Sequence, residues 1–438
     1  MIKLKEILNH SGFRRYFTNI SWLFVENMLR IIAGLFVGIY VARYLGPEKF
    51  GILSYALAFV GLFGAVADLG LDTITVRELV NYPNRRDVYL GTVFWLKVVG
   101  AFTMLALIGI AVQFTSNDST TNLYIFISAS GLIFQSFQVV DFYFQSKVLS
   151  KYVSICKMIQ LTISSLVKLY FIFIKADLLW FVIIILIDHV LLAISLLFAY
   201  WQQRNGMFFS HFKFRIAKEM LKDSWPLILS GVTVMIYLRI DQIMIKEMLS
   251  ETELGLYSAA VKLAEVWYCI PAIVTISLFP AIINAKKNVE LYYNRLQKLY
   301  TLMVWMAIGL ALPMTVFSDW LVTFLYGPAF ESAAGVLKIY VWGGVFVFLS
   351  AAFGKYLINE NMTKKNFYRV LLGAVANIPL NYFFIKIYGI CGSAIASLIS
   401  LFLANYFYDF FDKDLRLQLK LKTLAFINPM SMKRSTKR

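Results

Sequence analysis

Long apolar runs dominate this chain and constrain its fold more than any other feature. Runs of roughly 20 residues recur along the whole sequence, and each is long enough to cross a ~30 Å hydrocarbon layer as a helix. A transmembrane barrel would instead alternate apolar and polar residues over ~10-residue segments, a pattern that the sequence lacks. Only 15% of the residues are charged and 60% are hydrophobic, whereas soluble domains carry about one quarter charged residues. The sequence therefore predicts an all-α polytopic membrane protein.

We predict twelve membrane spans joined by short connections, of which the longest separates the sixth span from the seventh. Twelve spans place both termini on the same side of the membrane. The predicted spans are 19–42, 50–72, 88–114, 122–145, 152–174, 178–201, 224–248, 254–283, 300–318, 331–358, 367–387 and 390–411.

Lysine and arginine are distributed unequally between the two predicted sides. The side that carries both termini holds most of the 42 such residues, whereas the opposite loops and nearby span ends hold only Arg43, Lys49, Lys175, Lys246 and Lys386. Positive residues concentrate in cytoplasmic loops, so both termini are predicted to be cytoplasmic. Topology and contact with anionic lipid then account for the net charge of +17, and no nucleic-acid partner is predicted.

A short polar segment occurs twice and indicates an internal duplication. "RYLGPEKFG" (43–51) follows the first span, and "MLSETELG" (248–255) follows the seventh. A shift of 204 residues aligns Leu45 with Leu249 and Gly51 with Gly255. We interpret both copies as structural turns between spans. Transporters built from two repeats often hold their substrate between them.

The duplication predicts two lobes of six spans each, arranged in parallel orientation. The predicted divisions are an N-lobe at 1–201, a cytoplasmic connection at 202–223, a C-lobe at 224–411 and a basic cytoplasmic tail at 412–438.

Arg30 is the most informative charge within a predicted span. It lies about eleven residues into the first span, roughly 16 Å from its start and near the bilayer centre. Glu26 shares its helix face, four residues earlier. One interpretation is a local pair that neutralises itself. The other is an arginine that faces a cavity and receives an anion, because intramembrane charges usually face protein or water.

Four other predicted spans each carry one polar stripe. Spacings of three or four residues place each set on one helix face, which predicts helices around a wet cavity; hydrogen bonding between helices is the alternative. Arg239 and Asp241 are two residues apart and point in different directions, so each is predicted to need a partner elsewhere. The stripes are Gln138, Asp141 and Gln145; Lys157, Gln160, Ser164 and Lys168; Ser230, Thr233, Tyr237 and Asp241; and Ser258, Lys262 and Glu265.

Motifs of common enzyme and metal sites are missing from the sequence. There is no GxxxxGK[ST] loop, no GxGxxG, no HExxH and no pair of CxxC motifs, and the three cysteines all lie in apolar runs. These features predict a protein that is not an enzyme and that needs no cofactor or metal. A membrane glycosyltransferase, a third interpretation, would need catalytic carboxylates in a large outside loop, and the predicted outside loops are short.

Several blocks resemble the O-antigen flippases, the Wzx-type members of the polysaccharide-synthase group in the MOP superfamily. The resemblance extends over essentially the whole chain, and the blocks follow one another in the order expected of that family. The blocks are "SWLFVENMLRIIAGLFVGIYVARYLGPEKFG" (21–51), "ADLGLDTITVREL" (67–79), "LRIDQIMI" (238–245), "LYGPAFESAAGVLKI" (325–339) and "NIPLNYFFIKIYGICGSAIASLIS" (377–400).

The resemblance implies a twelve-helix, two-lobe fold in a bacterial inner membrane. It also implies alternating-access transport of undecaprenyl-pyrophosphate-linked oligosaccharide, with polysaccharide polymerase machinery as a candidate partner besides membrane lipid. By position, Arg30 matches the family's basic residue in the first span and Asp241 its acidic residue in the seventh. Asp72, Arg77 and Glu78 match the charged end of the second span.

The chemistry of such a substrate agrees with the polar stripes. A pyrophosphate cannot cross hydrocarbon unaided, and arginine suits bidentate phosphate contact. The alternative function is a cation-coupled exporter of small molecules with the same architecture. The candidate cavity residues are Arg30, Arg239, Lys168, Lys262, Gln138, Gln145 and Gln160, and the charged span ends or coupling candidates are Asp72, Arg77, Glu78, Asp141, Asp241 and Glu265.

Overall fold

The computed structural model describes residues 11–203 and 206–427, and this part of the chain is almost entirely helical with no strand. Short 3-10 segments connect several of the helices, the longest being Gly131–Gln138. The α-helices are α1 Ser11–Asp68, α2 Asp72–Asn81, α3 Arg86–Ala111, α4 Ser119–Ser130, α5 Val139–Ser146, α6 Ser150–Phe173, α7 Leu178–Gln202, α8 Phe214–Met248, α9 Glu251–Glu265, α10 Cys269–Ile283, α11 Val289–Val316, α12 Ser318–Tyr326, α13 Ala333–Tyr340, α14 Gly343–Asn359, α15 Thr363–Asn405 and α16 Arg416–Ile427.

The two longest helices are interrupted by glycine. Helix α1 has 58 residues and contains Gly46 at φ 73° and ψ 171°, and α15 has 43 residues and contains Gly389 at φ 57° and ψ −138°. A positive φ costs glycine little because it has no Cβ. Both glycines lie where the sequence predicts a turn between two spans.

Ten helical stretches within the described residues are long and apolar enough to cross a membrane. Two of them, Ser21–Asn81 and Thr363–Phe410, have 61 and 48 residues, so each exceeds the ~20 residues that one crossing needs. Many large apolar side chains on these helices are exposed, as expected where lipid replaces water. The all-α polytopic fold is confirmed, whereas the count of twelve crossings and the cytoplasmic termini stay predictions.

Polar side chains define the starts of several helices. Ser250 precedes α9 and accepts a hydrogen bond from the backbone N–H of Glu253 at 3.2 Å, which is the first half of a capping box. Asp118 accepts one from the backbone N–H of Thr121 at 3.0 Å and so begins α4. Each cap satisfies a backbone donor that the first helical turn leaves unpaired.

The helices form two compact units. The first comprises 1–44 and 56–235, and the second comprises 45–55 and 236–438. The unit boundaries differ from the predicted lobes in two respects: the division falls near residue 235 within α8, and residues 45–55 pack with the second unit. The predicted lobes at 1–201 and 224–411 stay predictions.

The first unit has a core built around α3 and α5. Leu90 and Val93 of α3 and Val139, Val140 and Phe144 of α5 are almost fully buried there. Residues from the predicted connection also join this core, through the aromatic side chain of Phe208. The connection is therefore part of the packed unit.

The second unit has a core between α11 and α14. Leu296, Tyr300 and Met303 of α11 pack in the same buried cluster as Leu349 and Phe353 of α14. Helix α16 adds Leu421 and Ala425 to this cluster, and the 3-10 turn that precedes the helix adds Leu415. Part of the predicted tail is thus a packed helix, and the rest of it, 428–438, lies outside the described residues.

A buried ion pair between Lys422 and Asp409 attaches α16 to the second unit. Lys422 Nζ lies 2.6 Å from Asp409 Oδ2, and both side chains are fully buried. The ammonium also lies 3.3 Å from the ring centroid of Phe353, and Arg369 is buried near the same ring. Burial lowers the pKa of Lys422 to about 8, although the Asp409 carboxylate opposes that shift. Two cations therefore share one carboxylate in this part of the core.

The two copies of the repeated polar segment pack against each other within the second unit. A Cβ on Gly51 would lie 1.7 Å from the carbonyl oxygen of Glu251, and a Cβ on Gly255 would lie 1.9 Å from that of Pro47. The contact is reciprocal, because Gly51 and Gly255 are the residues that the duplication aligns. Only glycine permits this approach of the two backbones, so the segments form a structural contact as well as turns.

Candidate functional site

Arg30 forms an ion pair with Glu26, and its side chain is nevertheless largely exposed. Its Nε lies 3.5 Å from Glu26 Oε1, and its side chain is 61% exposed while that of Glu26 is 4% exposed. The guanidinium also donates a hydrogen bond to Asn27 Oδ1. The predicted local pair is thus present, but guanidinium has five N–H donors, and much of the group remains available to an anion.

Lys97, which was not among the predicted site residues, is the most buried cation among the described side chains of the first unit. Its side chain is 2% exposed, and Nζ lies 3.1 Å from Asp68 Oδ1 and 2.8 Å from Asp72 Oδ1. These carboxylates flank the break between α1 and α2, where Leu69 and Gly70 have φ of 51° and 62°. Lys97 therefore stabilises the break between the two helices, and the carboxylate of Asp72 is used in this ion pair.

We expect Lys97→Met to destabilise the protein by about 2–3 kcal/mol, because it leaves two carboxylates without their cation. This loss of stability is smaller than the loss expected for a fully buried ion pair, because Asp68 and Asp72 are partly exposed. Thermal unfolding in detergent measures the loss, with exposed Lys218→Met as the control. Adding Asp72→Asn to Lys97→Met should restore part of the stability; no restoration would contradict the pairing.

Asp141 is buried in a small network of stripe residues. Lys157 Nζ lies 2.9 Å from Asp141 Oδ2, and Gln145 Nε2 donates to Asp141 Oδ1 at 2.9 Å. Gln138 and Gln160 are half-buried, and no hydrogen bond joins either amide to another residue that the structure describes. These two amides remain candidates for sugar contact, whereas Gln145 is already used.

Lys168 and Arg77 also have carboxylate partners. Lys168 Nζ lies 3.2 Å from Asp188 Oδ2, which Ser164 also contacts at 2.8 Å. Arg77 lies 2.8 Å from Glu78 Oε1 and 3.0 Å from Asp223 Oδ2. The second of these pairs joins α2 to α8 within the first unit.

Asp241 lies at the centre of a buried polar layer in the second unit. The residue is only 3% exposed. Its Oδ2 accepts a hydrogen bond from Tyr257 Oη at 2.5 Å and one from Ser397 Oγ at 3.5 Å. Oδ1 accepts from the backbone N–H of Gln242. The predicted need for a partner outside its own stripe is met by two hydroxyl groups.

Helix α15 continues this layer with amides and hydroxyls. Ser393 donates to Asn381 Oδ1 at 2.6 Å, and Asn381 donates to Asn377 Oδ1 at 2.9 Å. Asn377 donates in turn to Ser400 Oγ at 3.2 Å. All four side chains are buried, so they pair with one another across the break at Gly389. These asparagines were not among the predicted site residues, because asparagine in an apolar run gives no charge signal.

The contacts with neighbouring side chains differ among Arg239, Glu265 and Lys262. Tyr340 donates to Glu265 Oε1 at 3.2 Å, and Lys262 lies over the ring of Phe50 at 4.6 Å. Arg239 is half-buried and makes no hydrogen bond to any residue within the described ranges. Its charge acts on Asp241 and Glu265 only at longer range. Arg239 is the least committed arginine of the predicted set.

No group of three or more His, Cys, Asp or Glu is arranged to hold a metal ion within 11–203 and 206–427. The three cysteines are free thiols in that part of the chain. The candidate ligand-binding groups of the two units are therefore charged and amide side chains within apolar helices.

A family model for polysaccharide biosynthesis proteins matches residues 17–286. The chain belongs to this family. The predicted resemblance to the polysaccharide-synthase group is thereby confirmed. A second model, MatE, matches residues 226–383 of this polysaccharide biosynthesis protein. A putative O-antigen transporter of Shigella flexneri is 23% identical over 374 residues, which cover 82% of this chain and 88% of the relative.

Solved structures of transporters share the fold of this family member. The lipid II flippase MurJ in an inward closed conformation matches with a TM-score of 0.71 at 16% identity, covering 94% of this chain and 91% of its own. An inward-facing multidrug resistance MATE transporter of the MOP superfamily matches with a TM-score of 0.70 at 14% identity, covering 96% and 100%. The protein is a multi-pass membrane protein with the MOP-superfamily fold.

Proposed function

We propose that this protein is a flippase that moves undecaprenyl-pyrophosphate-linked oligosaccharide, an O-antigen or similar repeat unit, from the cytoplasmic to the periplasmic leaflet of the bacterial inner membrane. One observation carries the proposal: two arginines within apolar helices, Arg30 and Arg239, keep guanidinium donors that no carboxylate within 11–203 and 206–427 saturates. A cation is costly within a membrane. An anionic substrate offsets that cost.

The remaining candidates divide into ligand contacts and supports. The amides of Gln138 and Gln160 have no hydrogen-bond partner in the described part of the chain and match the hydroxyls of a sugar. Exposed Lys262 adds a positive charge. Lys168 and Gln145 are held by Asp188 and Asp141, so we assign them a supporting role.

Transport of this kind needs no covalent step, and we propose no enzymatic activity. The substrate's pyrophosphate and glycan pass the hydrocarbon layer within protein, where polar groups replace water. The relative named as a putative O-antigen transporter supports this substrate class, and a polymerase that consumes the delivered unit is a candidate partner.

Coupling to a proton or cation is assigned to the acidic residues of the second unit. Asp241 and Glu265 each accept hydrogen bonds from hydroxyl groups and form no ion pair within the described residues. A carboxylate without a fixed cation can exchange a proton or small cation during a transport cycle. Arg239 lies close enough to influence both carboxylates, so substrate and coupling sites are expected to interact.

Arginine removal tests the proposal directly. We expect Arg30→Gln and Arg239→Gln each to lower transport about tenfold or more, because a charge-assisted contact to phosphate contributes about 1.5–3 kcal/mol. The measurement is surface polysaccharide in a strain that lacks its own flippase, with protein level and melting temperature determined in parallel. Arg215→Gln, which removes an exposed arginine paired with Glu219, is the matched control.

Normal polysaccharide display by the Arg30→Gln, Arg239→Gln double variant would exclude an anion-binding role for both arginines. The MatE match favours one further candidate function, a cation-coupled exporter of small molecules. Export of cationic drugs by the wild type in vesicles, without transfer of a lipid-linked oligosaccharide, would favour that alternative over the flippase.

A further inference from the structure

The connection before α8 is firmly seated on the first unit. The ring of Phe208 is 1% exposed, and a Cβ on Gly91 would lie 2.3 Å from the Phe208 carbonyl oxygen. Trp95 Nε1 donates to the carbonyl of Phe209 at 2.8 Å, and the backbone N–H of Lys213 donates to Thr92 Oγ1 at 3.1 Å. The segment therefore has a fixed orientation, with a definite inner and outer face.

Large apolar side chains cover its outer face. Met207 is 73% exposed and Phe214 is 76% exposed. Phe212, between them in sequence, is also exposed, at 45%. Trp201 at the end of α7 and Trp225 in α8 are also exposed, so the apolar surface continues onto the two spanning helices. Aromatic residues gather where membrane and water meet.

Uncompensated lysines lie beside these apolar groups. Lys213, Lys218 and Lys222 are exposed, and no carboxylate within the described residues pairs with them. The nearby carboxylates Glu219 and Asp223 are occupied by arginines. Lys218 and Lys222 are four residues apart on α8 and share a face, so their charges repel each other. This repulsion is relieved when an anion binds between them.

We propose that the exposed side chains of 207–225 form a binding surface for the headgroups of anionic phospholipids. We call it the connection surface. Its lysines meet the lipid phosphates, and its exposed aromatic side chains enter the adjoining acyl layer. A phospholipid matches both properties at once, and the continuity with α7 and α8 places the surface at the boundary of the bilayer. Anionic headgroups attract lysines that lie near the membrane surface.

The test is a titration of the purified full-length protein with short-chain phosphatidylglycerol, with short-chain phosphatidylcholine in parallel. Native mass spectrometry counts the bound lipids. The test variant is Lys213→Gln, Lys218→Gln, Lys222→Gln. The matched control is Lys287→Gln, Lys364→Gln, Lys420→Gln, which removes three exposed lysines of the second unit. We expect the test variant to bind phosphatidylglycerol at least tenfold more weakly and the control to change less than twofold.

Three results would overturn the proposal. They are equal binding of the two lipids by the wild type, equal losses in test and control variants, and full competition by inorganic phosphate at matched concentration. The last result would indicate a simple anion site. A second variant, Phe212→Ser, Phe214→Ser, tests the apolar component. We expect it to weaken phosphatidylglycerol binding several-fold, and unchanged binding would show that no lipid chain contacts this surface.

Discussion

Gly51→Ala and Gly255→Ala are each expected to destabilise the protein by about 3 kcal/mol and to reduce transport severely. The added methyl group would overlap a backbone carbonyl at less than 2 Å, and backbone atoms cannot move aside as a flexible side chain can. Overpacking of this kind costs about 1–3 kcal/mol or more. Thermal unfolding of the purified protein and polysaccharide display in cells measure the two effects.

Gly309→Ala is the matched control, because it lies in a helix of the same unit and a Cβ there meets nothing within 4 Å. Alanine favours helix more than glycine does, so we expect a neutral or slightly stabilising effect. The double variant Gly51→Ala, Gly255→Ala should lose less than the sum of its single changes, because one separation of the two segments relieves both overlaps. Wild-type melting and transport in either single variant would refute the close contact.

The buried pair of Lys422 and Asp409 gives the second large effect, with a predicted asymmetry. Asp409→Asn leaves two buried cations, Lys422 and Arg369, without a carboxylate, and we expect a loss of about 5 kcal/mol. Lys422→Met leaves Asp409 with the charge of Arg369 nearby, so about 3 kcal/mol is expected. Denaturation of the purified protein provides the measurement.

Combining Lys422→Met with Asp409→Asn should recover part of the stability lost by Asp409→Asn alone, since the double change removes both members of the pair. Lys420→Met, on the exposed face of the same helix, should leave the melting temperature unchanged. If Lys422→Met proved more harmful than Asp409→Asn, Arg369 would not be sharing the carboxylate.

The architecture was predictable from sequence because lipid imposes a simple rule. Apolar runs of spanning length have few alternatives to helix, and the turns near Gly46 and Gly389 were predicted where the runs stop. Helix α16 was not predicted, because its mixed charges and leucines resemble an exposed tail. Only the fold shows that its Lys422 faces inward to Asp409.

The candidate site was predictable only in part. Spacing placed Glu26 beside Arg30 and Asp141 near Gln145, since both pairs lie four residues apart on one helix. It could not identify Lys97 as the partner of Asp68 and Asp72, because that contact joins helices 25 or more residues apart in sequence. Local periodicity gives the face of a helix, and the partner across the packed interface depends on the tertiary fold.

The glycine contact also has a consequence for how the chain is made. Residues 45–55 leave the ribosome early, yet Gly51 meets the backbone at Glu251 and Gly255, about 200 residues later. At ~5–20 residues per second of synthesis, this segment waits roughly 10–40 s for its partner. During that interval the segment lacks the backbone that it contacts in the folded protein. Formation of this contact is therefore set by translation as well as by packing, and a ribosome pause before residue 255 would prolong the time that residues 45–55 spend without it.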